Sequence, residues 1–199
     1  MVHNKVNHAF SDYRFDWDAG ENYQPCIKLS FFFKKLPDVD DDHFQMHYNH
    51  VHADLTVAAE LFNVVKIQRY VQTYQTPGMK ERIRKSGMEL LDYDACSQIW
   101  VREWEDWERF STSPEYAAAL LPDADHFMDY QNSGIKVFAG QDNLIFGKAI
   151  PDCDETDGLT RAQDGYSSDK THLSSKSEVK CGDRARPAFR NHDLKYFEK

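Results

Sequence analysis

The chain has 199 residues, of which 41% are apolar and 14% aromatic, enough for one packed core and crowded for two. A formal net charge of −9 argues against the clustered lysines and arginines of a nucleic-acid footprint, and no apolar run is long enough for a membrane-crossing helix. Neither a nucleic acid nor a membrane is therefore expected as a partner.

The N-terminal stretch carries early acids and no apolar centre, so it does not read as a secretory leader. Cys26, Cys96, Cys153 and Cys181 are widely spaced with no C-x-x-C pair, which reads as reduced thiols in a cytoplasmic protein.

Residues 1–25 read as an irregular polar arm. Residues 27–35, IKLSFFFKK, form an apolar, β-favouring run closed by Pro37, and predict a strand. The acids Asp38 to Asp42 supply a cap and favourable charge for a helix expected over Asp41–Phe62. Residues 66–76 predict a second strand stopped at Pro77-Gly78, followed by a short helix over 78–91. Residues 97–104 predict a third strand, and 105–129 a helical segment broken near Ser113-Pro114 and at Pro122. A fourth strand falls within 133–150.

The order β-α-β-(α)-β-α-β predicts a ferredoxin-like α+β fold, a mainly antiparallel four-stranded sheet with helices on one face. The uncovered sheet face predicts a homodimer. The ordered domain is expected over 26–151. The polar remainder, 152–199, reads as a disordered tail, because it cannot bury enough surface to offset its ordering entropy.

His43, His47, His50 and His52 fall within ten residues of the first helix. At 100° per residue, Phe44, Tyr48, Val51, Leu55, Ala58 and Phe62 share one face and predict the buried stripe. His43 and His50 then point to solvent, while His47 and His52 flank the stripe on opposite sides. Three readings stand: ordinary helix histidines, a metal site built from His43, His47 and His50, and a general acid/base at His52 assisted by His47. The phase leaves any metal ligands on the solvent face with no carboxylate behind them.

Strand alternation collects Ile27, Leu29, Phe31, Phe33, Ile67, Val71, Ile99, Val101, Ile135 and Val137 on one face as core. Phe32, Gln68, Tyr70, Gln72, Tyr74, Trp100, Arg102 and Trp104 fall on the other. That second set has the composition of a pocket for a flat, polar-rimmed ligand, and equally that of a dimer interface. Trp107, Phe110 and Tyr116 read as core. The sequence has no Gly-rich phosphate loop, no G-x-S-x-G and no H-E-x-x-H.

The segment LSFFFKKLPDVDDDHFQMHYNHVHADL, followed by IQRYVQTYQTP, LDYDACSQIWVREWEDWERFSTSPEY and NLIFGKAIP, resembles the EthD-type group of dimeric α+β barrel proteins over residues 26–151. The resemblance implies a family associated with fungal aromatic polyketide pathways. Its members or relatives dehydrate, decarboxylate or cyclise reactive β-polyketones with neither metal nor organic cofactor.

In the mechanism that this suggests, His52 is the base, Tyr70 donates to the enolate oxygen and His47 orients or relays. Arg102 holds a carboxylate or phenolate, and Phe32, Gln72, Tyr74 and Trp100 complete the substrate site. A cofactor-free anthrone-type monooxygenase and a non-catalytic dimer binding a small aromatic molecule are the alternatives.

Overall fold

A computed structural model describes residues 7–150 and 157–159 of the chain. Strands β1 (Tyr23–Phe33), β2 (Arg69–Tyr74), β3 (Ala95–Val101) and β4 (Lys136–Asn143) form one sheet in the order β2-β3-β1-β4. Every neighbouring pair is antiparallel. With helical crossovers between β1 and β2 and between β3 and β4, this is the ferredoxin-like α+β arrangement expected. β1 starts at Tyr23, ahead of the expected Ile27. Apart from residues 157–159, the tail expected over 152–199 lies outside the described residues.

The first crossover begins where Asp40 accepts a hydrogen bond from the His43 backbone N–H at 2.7 Å, with Asp41 and Asp42 in the opening turn. It is not the unbroken α-helix expected over Asp41–Phe62. α1 (Asp41–Met46) passes into a π-helical stretch, His47–His52, then into α2 (Ala53–Ala58). At Ala59, where ψ is 129°, the chain breaks before α3 (Glu60–Val64). Thr76 caps α4 (Pro77–Lys85), and Gly87 at φ 77° takes the left-handed conformation past its end. The second crossover comprises α5 (Trp104–Ser111), a π-helical stretch Tyr116–Leu120, α6 (Leu121–Ala124) and α7 (Tyr130–Ser133).

The core lies between helices and sheet. Phe33, Phe44, Tyr48, Ala95 and Phe127 pack at one end, Leu29, Ile99 and Val101 in the middle, and Val65, Phe110 and Leu120 at the other.

The register corrects the expected faces of β2. Tyr70 sits opposite Ile99, Gln72 opposite Ser97 and Tyr74 opposite Ala95, so all three share the helix-covered face with Leu29 and Phe33 rather than the face of Trp100. Val71, expected in the core, turns the other way and is 37% exposed. A one-residue slip in reading an edge strand exchanges its faces completely. Ile135 and Val137, also expected in the core, are exposed at the β4 edge.

Candidate active site

The π-helical stretch builds the site. In an α-helix, residues five apart stand about 140° apart around the axis, which is why His47 and His52 were expected on opposite sides of the buried stripe. A π-helix bonds each residue to the one five along and stacks such pairs on one face. Both rings therefore reach one carboxylate. His47 Nε2 lies 2.7 Å from Asp123 Oδ1, and His52 Nδ1 lies 2.8 Å from Asp123 Oδ2. The same extra residue shifts every later position. Val51, expected in the buried stripe, is 45% exposed, whereas Thr56 is buried. His43 and His50 are exposed, as the helix phase predicted.

Asp123 is held from the second crossover. Pro122 has no N–H to continue an α-helical ladder, and the preceding turn, Tyr116–Leu120, is π-helical. Downstream, Leu36 N–H donates to the Phe127 carbonyl and Asp129 N–H to the Lys34 carbonyl, each at 2.9 Å, which clamps this segment to the end of β1. Fully buried Phe127 places its ring centroid 5.1 Å from those of both His47 and His52.

Asp123 is 6% exposed. Its burial alone would raise the carboxyl pKa. Hydrogen bonds from His52 and His47, and their charge when protonated, outweigh that effect and hold it below the usual carboxylate value. A carboxylate only accepts hydrogen bonds, so His52 donates from Nδ1 and His47 from Nε2. The nitrogen of His52 left with a lone pair in the neutral ring is Nε2.

His52 also lines a cavity of about 130 Å³ between the helices and the sheet. Thr56, Tyr70 and Ser97 are its other hydroxyl-bearing residues near the histidine, while Phe31, Trp107 and Phe110 supply aromatic lining. Gln72 Nε2 donates to the Tyr70 hydroxyl oxygen and to the Tyr48 carbonyl, both at 2.8 Å. Tyr48 Oη and Ser97 Oγ are 2.8 Å apart, and Thr56 Oγ1 donates to the His52 carbonyl at 2.6 Å.

Burial raises the Tyr70 pKa above the ordinary phenol value, and its hydrogen bonds with Gln72, Thr56 and Ser97 oppose that shift only in part. Tyr70 therefore stays an O–H donor at neutral pH. Among the described residues no group of three or more His, Cys, Asp or Glu side chains is placed to hold a metal ion. A larger, open depression of about 880 Å³ beside residues 13–22 shares no lining residue with this cavity.

Of the residues singled out from the sequence, the cavity brings together His52 and Tyr70. His47 stands behind Asp123, and Gln72 reaches Tyr70 without lining the space. Tyr74 packs against Phe44 at 5.6 Å between ring centroids. Phe32 and Trp100 lie on the opposite sheet face, and Arg102 is exposed just past β3. Trp100 is instead enclosed there: its Nε1 donates to Asp142 at 2.8 Å, with Lys28 Nζ 5.0 Å and the Arg69 guanidinium 5.6 Å from its ring. Trp107, Phe110 and Tyr116, read as core in preference to pocket, line the cavity. Asp123, Thr56 and Ser97 were not anticipated. An acid after a proline reads as a helix start, and nothing nearby marks it as the partner of a helix about seventy residues earlier.

Residues 36–131 match the EthD domain family. Decarboxylase claH of Passalora fulva is 23% identical over 124 residues, covering 60% of this chain and 79% of that protein. An EthD family protein from Bacillus halodurans is 17% identical with a TM-score of 0.38, over 59% of this chain and 98% of the other. A dimeric protein of ferredoxin-like fold and unknown function from Bacteroides fragilis is 15% identical with a TM-score of 0.37, over 61% of this chain and 99% of the other. No helix among the described residues is long and apolar enough to cross a membrane. The family resemblance read from the strand–Pro–acid–histidine segment thus stands over residues 36–131, where the chain is similar to the EthD domain.

Proposed function

We propose that the chain is a cofactor-independent lyase or cyclase that enolises an aromatic polyketide-type intermediate of fungal secondary metabolism. It would work as a homodimer paired through the sheet face turned away from the helices. The observation that carries this reading is His52, whose Nδ1 is tied to buried Asp123 while its ring lines an otherwise largely apolar cavity. An imidazole so fixed offers Nε2 as a base with a set tautomer and little reorganisation.

Proton transfer from an acidic C–H to Nε2 sends the carbon's electron pair onto the adjacent carbonyl oxygen. The Tyr70 O–H would stabilise the charge there. The proton held by His52 can then go to a leaving hydroxyl, releasing water. In a decarboxylation, cleavage of the carboxylate C–C bond releases CO₂ and sends the bond's electron pair onto the carbonyl oxygen as an enolate, and a His52 already protonated gives its Nε2 proton to carbon. The likeness to a named decarboxylase supports the lyase class. Asp123 and His47 are positioning residues in this scheme.

The test is co-expression with a polyketide synthase from the same source, with and without oxygen, comparing product masses. A lyase shifts the mass by water or carbon dioxide under both conditions. Turnover confined to aerobic cultures would replace this reading with a monooxygenase. Identical products with and without the protein would leave only a binding role.

A further inference from the structure

Gln72 was expected to touch the substrate, yet its side chain stays outside the cavity and bonds to Tyr70 instead. Resting on the reading that Tyr70 is the donor of this site, we infer that Gln72 is a positioning residue, whose amide sets which way the Tyr70 proton points.

Tyr70 and Gln72 stand two apart on β2, so their side chains share the helix-covered face. Gln72 Nε2 lies 2.8 Å from the Tyr70 hydroxyl oxygen and 2.8 Å from the Tyr48 carbonyl oxygen. A backbone carbonyl can only accept, so the amide must turn its nitrogen this way, with one N–H for each partner. The Tyr70 oxygen is thereby an acceptor on the Gln72 side, and its own proton is turned away. A reversed amide would set its oxygen against the Tyr48 carbonyl, acceptor on acceptor, and would draw the phenol proton to itself.

Thr56 and Ser97 also bond with the Tyr70 hydroxyl. Thr56 Oγ1 gives its own proton to the His52 carbonyl at 2.6 Å, so toward Tyr70 it only accepts. Ser97 Oγ lies 2.8 Å from Tyr48 Oη. Thr56, Ser97 and Tyr70 all line the cavity, so the phenol proton is kept on the cavity side. An enolate oxygen arriving there competes with two neutral hydroxyls, and a hydrogen bond to an ionised acceptor is roughly twice as strong. The Tyr48 carbonyl belongs to the π-helical stretch that ends at His52. One amide therefore ties the strand bearing the donor to the helix bearing the base.

The test replaces Gln72 in the full chain labelled with 3-fluorotyrosine, whose ring ionises at lower pH than tyrosine and reports its charge by ¹⁹F NMR. Tyr70→Phe identifies the Tyr70 signal. Gln72→Met keeps the length but removes both N–H donors, and should make the Tyr70 phenol about ten-fold less acidic. Gln72→Glu sets an acceptor-only carboxylate in the same place, and should weaken the phenol by about a further ten-fold. In the co-expression assay product should fall in the same order, most in Gln72→Glu. With Tyr70→Phe already in place, the two substitutions should cost the same.

Unchanged Tyr70 acidity in Gln72→Met overturns the inference, as do equal shifts in the two variants. If Gln72→Met fails to fold by its melting curve, the isosteric Gln72→Glu decides alone, and unchanged acidity there overturns it. The expected NMR shifts in a chain that converts no polyketone would sink the lyase reading alone. Turnover without those shifts would sink this inference alone.

Discussion

Both faces of the sheet gather aromatic rings with polar and charged groups, yet only one of them is built as a site. On the face turned away from the helices Trp100 is fully partnered. Two cations lie against its ring, Asp142 takes its N–H, and Cys26 and Ile150 pack beside it. On the helix-covered face, His52 keeps one ring nitrogen outside its bond to Asp123, and it and Tyr70 line open volume. The same residue types serve as packing where ring and N–H are both enclosed by partners, and as candidate chemistry where an imidazole and a phenol line a void.

Substitutions can break or sharpen that contrast. The largest effect is expected for His52→Gln, which removes the base and should lower turnover by about 10² to 10⁴, measured as product formation or deuterium exchange at the acidic carbon. Asp123→Asn comes next, with a loss on the order of 10 to 100-fold. The amide can accept from only one imidazole, so the tautomer of His52 is no longer enforced. Equal activity in this variant would remove Asp123 from the scheme.

Acid should reveal the same group. Because the folded-state pKa of Asp123 is depressed, its hydrogen bonds from His52 and His47 stabilise the fold above the ordinary Asp value of 3.8 and that contribution fades as pH falls through the lower folded value. Melting temperatures of native protein and Asp123→Asn should therefore converge toward low pH. On the other face, Trp100→Phe should cost about 1–2 kcal/mol from the lost indole hydrogen bond and weaker cation–π contact, with turnover unchanged. Arg102→Ala, outside the cavity, should leave turnover unchanged.

The strand order and the covered faces of β1 and β3 were legible because Leu29, Phe33, Ile99 and Val101 alternate cleanly. β2 misled because its inward residues, Tyr70, Gln72 and Tyr74, carry polar ends that are satisfied inside, while its outward Val71 is apolar. His52 and His47 were legible as residues at the border of the buried stripe. Their convergence was not, since a uniform turn angle has no means of representing a change of helix type partway along. Asp123 was invisible for a different reason: its role arises from a contact between two crossovers, and local pattern carries no record of such contacts.

The widened turn at His47–His52 also has a genetic meaning. A π stretch of this kind is an α-helix with one residue too many, so a single codon's deletion between the two histidines would let the turn close into an α-helix with the downstream residues left in place. The two rings would then stand four apart in sequence and about 40° apart around the axis, still on one face. Among related chains, a one-residue gap at this point should therefore go with a pair of histidines at α-helical spacing that can still share one carboxylate.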